Sequence, residues 1–90
     1  MLSDIKKIMG FNNTEFDDVI NNYIDSAKLD LEMCGISESI ITSNNKLIHT
    51  AIISYVLANL DIPNAEMYRD TYSLQKDYIR HISEYQESGE

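Results

Sequence analysis

Few side chains here could carry chemistry: two histidines (His49, His81), one cysteine (Cys34) and an adjacent acidic pair, Asp17–Asp18. The histidines form no H-x-x-x-H or H-E-x-x-H spacing, so a helical metal site has no ligand pair. His49 opens an apolar segment, where a core-edge or interface role fits better than ligation. His81 falls between the aromatic and wet faces of the last amphipathic segment and is expected to be solvated. Neighbouring acids on a helix diverge by about 100°, so Asp17 and Asp18 do not make a carboxylate pair for acid–base work. Capping and the helix dipole account for them. A cysteine nucleophile needs a base and an electropositive pocket, and nothing near Cys34 supplies either. It reads as a small buried hydrophobe. No glycine-rich phosphate loop or Ser/His/Asp order is present. The sequence therefore offers no catalytic, cofactor-binding or metal residue, and enzymatic activity is not expected.

Composition narrows the class further. Ninety residues, 43% of them apolar, suit one small domain with a modest core and are too apolar for a disordered chain. Seven basic against 15 acidic side chains give a net charge of −8. That balance excludes an autonomous nucleic-acid-binding module, which needs a basic face for phosphates, and docking on an anionic membrane. A single cysteine cannot form an internal disulfide framework. The start, MLSDIKKIMG, lacks a signal-peptide apolar stretch, and Leu47–Leu60 is shorter than the ~20 residues of a membrane span. The expectation is an acidic, soluble, intracellular-type single domain over 1–90.

The elements that must position these residues are helical. Ser3 can cap a short helix to Met9, closed by Gly10. From an Asn13 or Thr14 cap, Phe16, Val19, Ile20, Tyr23, Ile24 and Ala27 begin one apolar face that continues through Leu31 and Cys34, with Gly35 placed to end the helix. Residues 36–44 read as a loop with at most one helical turn. Asn44 or Asn45 can cap a third helix, 46–60, whose apolar residues nearly surround its axis, as in a helix packed on several sides. Pro63 stops it, and a long C-terminal helix runs from about 65 to 85. The tail, 84–90, is expected to fray. The fold expected is all-α: a small bundle of about four helices around the central apolar helix 46–60. The two flanks carry the acidic excess and the central segment is neutral.

Surfaces are more telling than sites. Leu29 and Met33 lie one turn apart outside the core arc of their helix and form an apolar ridge. Either another helix covers it or another subunit does. On the last helix, Tyr68, Tyr72, Tyr78 and Tyr85 spread over a wider face than one neighbouring helix can bury. Tyrosine suits interfaces because its ring gives contact area while its hydroxyl stays hydrated. These six residues are the candidate interface. Replacing Tyr72 and Leu29 is expected to spare the fold and impair assembly, whereas Asp at Ile52 or Tyr55 is expected to unfold the chain.

The whole pattern resembles the head–tail connector (adaptor, head-completion or DNA-packaging) proteins of tailed bacteriophages. The shared marks are the acidic pair before an apolar-x-x-Tyr-Ile-x-x-Ala helix (Asp17, Asp18, Tyr23, Ile24, Ala27) and the apolar helix with Ala51, Tyr55 and Val56. Spaced aromatics, Tyr68 and Tyr72, follow after a proline break. The resemblance covers nearly the entire chain and consists of packing patterns. Where many members carry a more basic last helix, this one stays acidic.

The resemblance implies a structural subunit of the virion head–tail junction, made in the bacterial host cytoplasm. It implies a ring, commonly of about a dozen copies. Such a ring sits beneath the portal protein, extends the DNA channel and receives the next head-completion or tail protein. Acidic walls would let DNA pass without specific binding. The isolated chain would self-associate weakly, with the portal as template. The rival is a small acidic helical regulator that mimics DNA or sequesters a basic partner. Such mimicry needs unbroken carboxylates along one face, and Arg69, Lys76 and Arg80 interrupt them.

Overall fold

The computed structural model of the chain describes residues 1–43 and 45–82. Five helices follow in order: α1 (Leu2–Met9), α2 (Asp17–Met33), α3 (Glu38–Ile41), α4 (Lys46–Asn59) and α5 (Ala65–Arg80), with no strand among the described residues. The fold is an all-α bundle, as the periodicity predicts.

Chain punctuation follows local chemistry. Gly10 (φ 74°) and Gly35 (φ 95°) take left-handed conformations that a Cβ would disfavour. After α2, the Gly35 amide donates to the Glu32 carbonyl (3.0 Å) and the Ile36 amide to that of Leu31 (3.3 Å). This is a Schellman closure, and its apolar seal is made by Leu31 and Ile36, both fully buried. The same pair of bonds closes α1, from Gly10 to Lys7 (3.3 Å) and from Phe11 to Lys6 (2.9 Å). Asn45 caps α4: its Oδ1 accepts from the amides of Leu47 (2.9 Å) and Ile48 (3.2 Å).

α4 is the interior rod. Ile48, Ala51, Ile52, Val56 and Leu57 are buried on several sides of it. α5 packs most extensively against it, then α2. α5 runs antiparallel to α4: Tyr55 and Tyr72 meet edge to face at 5.2 Å, and Arg69 Nη2 reaches the Ala58 carbonyl at 3.5 Å. Ile20, Ile24, Ala27 and Leu31 of α2, Ile5 of α1 and Ile79 of α5 complete the core.

Three boundaries and several burials differ from expectation. α2 begins at Asp17, not at 14, because Asn13 Oδ1 accepts the Glu15 amide (3.0 Å) in a local turn that delays the helix. No side chain caps α1, whose N-cap is Met1 and not Ser3. α5 ends at Arg80, short of 85; the His81 and Ile82 amides bond three residues back, to Tyr78 and Ile79. The loop 36–44 holds the single turn α3. Phe16 and Val19, expected on the core face, are exposed: Phe16 is the residue before α2, and Val19 lies about 100° around the axis from fully buried Ile20. Cys34 is half-buried. The expected frayed tail, 84–90, lies outside the described residues.

Candidate functional site

Two of the residues with chemical potential, His49 and Asp17, are held in structural pairs. His49 Nε2 lies 3.2 Å from Asp4 Oδ2 and ties α4 to α1. Lys6 Nζ and Asp17 Oδ1 pair at 2.9 Å and tie α1 to α2. Asp18 and His81 are exposed. No cluster of three or more His, Cys, Asp or Glu among the described residues could hold a metal ion.

The most developed polar arrangement joins α2 to α5. Asp30 Oδ2 accepts from the Tyr72 hydroxyl at 2.5 Å and from Lys76 Nζ at 3.3 Å. Lys76 Nζ also stands 5.3 Å from the centroid of the Tyr72 ring. Burial, and then the hydrogen bond and charge of Asp30, push the Tyr72 phenol far above its ordinary pKa. Its proton is held in place to donate to Asp30. A carboxylate, a phenol and an ammonium in this arrangement form a clasp between helices.

The six candidate interface residues separate into three groups. Leu29 (57% exposed), Met33 (79%) and Tyr78 (62%) stand in solvent. Tyr68 is half-buried against the core and Tyr72 is buried. Tyr85 lies outside the described residues. Tyr72 therefore does not offer its ring to a partner. Its position toward α4, between Tyr55 and Asp30, makes it a core residue, and replacing it would strike the fold. Sequence reasoning also passed over Met67 and Leu74, both exposed on α5. Their spacing with Tyr78, at i, i+7 and i+11, follows one helical stripe and carries the signal. Seen together, α2 turns Leu29 and Met33 outward, and α5 turns Met67, Leu74 and Tyr78 outward.

This is a helical body whose polar groups lock helix to helix and which leaves several large apolar side chains of α2 and α5 outside its core. A family model described as phage connector protein matches residues 1–86. The chain belongs to the phage connector protein family. No curated protein and no solved structure matches it. Membership gives the chain a structural role in the connector of a phage particle, among other phage head and tail proteins. No helix among the described residues is long and apolar enough to cross a membrane.

Proposed function

We propose that this chain is one subunit of a ring at the head–tail junction. The ring docks beneath the portal, extends the DNA channel and receives the next head-completion or tail protein. The observation that carries this reading is the outward apolar set on α2 and α5, in a chain whose family is the phage connector. Large apolar side chains left in water on two different helices suit contacts with more than one neighbour. The net charge of −8 fits a lumen that repels the phosphate backbone, so that DNA slides without being held. Assembly then takes place in the host cytoplasm, from subunits that associate weakly until the portal gathers them.

Imaging the purified chain mixed with its portal protein tests the reading. The expected result is added ring density under the portal, absent from either protein alone at low concentration. Portal particles left unchanged by the chain would overturn the docking, and a reconstructed ring with a basic lumen would overturn the channel role.

A further inference from the structure

An open hollow lies where the ends of α1 and α4 meet the start of α2. It encloses about 410 Å³ and is lined by Met9, Phe11, Phe16, Leu60, Asp61 and Ile62. Phe11 and Phe16 stack along it, with ring centroids 5.2 Å apart. Phe16 is still 42% exposed. Stacked rings left open to water beside a hollow are poor burial for a lone subunit and a ready seat for an aromatic side chain. The charge at the mouth is acidic: Asp61 lines it, and exposed Glu15 adjoins Phe16. Of the nearby cations, Lys6 is bound to Asp17 and Lys7 borders a separate hollow on Phe11.

The far end of the bundle presents the complement. Because α5 runs antiparallel to α4, its last turn lies beside the start of α4, while the hollow lies at the end of α4. Ala65 to Tyr78 alone spans about 20 Å of helix. Among the described residues, Tyr78 is the exposed aromatic side chain outside the hollow, and Arg80 and His81 follow it on the chain. Asp77 is also there, 3.6 Å from Arg80, and its carbonyl meets His81 Nδ1 at 2.6 Å. The other exposed apolar residues of α2 and α5, Val19, Leu29, Met33, Met67 and Leu74, are aliphatic and offer the hollow no ring.

We infer that Tyr78 of one copy seats in the Phe11–Phe16 hollow of the next copy. The phenol ring packs on Phe16, its hydroxyl donates to Asp61, and Arg80 meets the acidic mouth. Knob and hollow sit at opposite ends of one chain, so the contact is head-to-tail, the kind that closes into a ring and not into a two-fold dimer. The inference rests on the ring reading above and names the contact that would build it.

Disulfide trapping of the full chain tests it. In a Cys34→Ser background, Asp61→Cys and Tyr78→Cys are placed on separate chains and mixed under mild oxidation at high protein concentration. The expected product is a mixed 61–78 dimer forming several-fold faster than either like-with-like dimer. It should also outpace a control pair of Tyr78→Cys with Asp25→Cys. One chain carrying both substitutions should give a ladder of multimers. Like-with-like dimers at the mixed rate, or no excess over the control, overturn the head-to-tail contact. Helical circular dichroism and melting of each variant separate lost contact from lost fold. Wild-type rings under the portal without 61–78 trapping would sink this contact and leave the ring standing. No ring in either experiment would sink both.

Discussion

Tyr72 and Tyr78 lie six positions apart on α5, and they end in opposite environments. Tyr72 is buried, edge-on to Tyr55, with its hydroxyl on Asp30; Tyr78 stands 62% exposed at the end of the helix. Both belong to the same broad apolar face on a helical wheel. A second helix decides between them: α2 supplies a carboxylate that satisfies one phenol, and no helix among the described residues covers the other. An aromatic stripe wider than one packing groove thus divides into a part that holds the subunit together and a part left for neighbours. The dividing line is set by polar partners distant in sequence.

The deepest test of that division is a charge in the rod both tyrosines depend on. Ile52→Asp, at a site 1% exposed, should abolish folding at a cost above about 4 kcal/mol, read as lost helical circular dichroism. Tyr72→Ala should follow, costing about 3–5 kcal/mol through a cavity and an orphaned Asp30. Chemical denaturation measures it, and a cost below about 1 kcal/mol would break the comparison by making Tyr72 a surface residue. Tyr72→Phe keeps the ring and should cost only about 1 kcal/mol for the hydroxyl contact.

The same hydroxyl gives a pH signature. Folding raises the Tyr72 pKa, so its contribution is complete below the unfolded phenol value of about 10 and is lost as pH climbs above it. Stability of the wild type should therefore fall more steeply than that of Tyr72→Phe on the alkaline side, as followed by melting temperature. Parallel slopes would remove the clasp. At the small end, Tyr78→Ala should move stability by no more than about 0.5 kcal/mol while reducing ring formation on the portal. A large stability loss there would erase the distinction between the two tyrosines.

Much of this architecture could be read from residue order. The left-handed glycines, the Asn45 cap, the stop at Pro63 and the all-round apolar helix α4 each follow from local chemistry, and Leu29 and Met33, placed outside the core arc by angle, are covered by no helix among the described residues. The failures share a cause. Periodicity draws the apolar arc of α2 wide enough to take in Phe16 and Val19, but it fixes neither where the helix starts, which leaves Phe16 ahead of it, nor how much of the arc is covered, which leaves Val19 outside. It groups Tyr72 with Tyr78 because Asp30, on another helix, is invisible to a window on α5. The Phe11–Phe16 stack needs both ends of a turn to fold back together, and no spacing rule announces that.

One consequence of the connectivity concerns how the subunit comes to be. The most extensive packing lies between α4 and α5, adjacent in the chain and joined by a tight link through Pro63. Contacts so local require little loop closure before they form, which puts the chain among rapid folders. The α4–α5 pair, the largest packing unit of the subunit, is then expected to form before the more distant docking of α2 onto it.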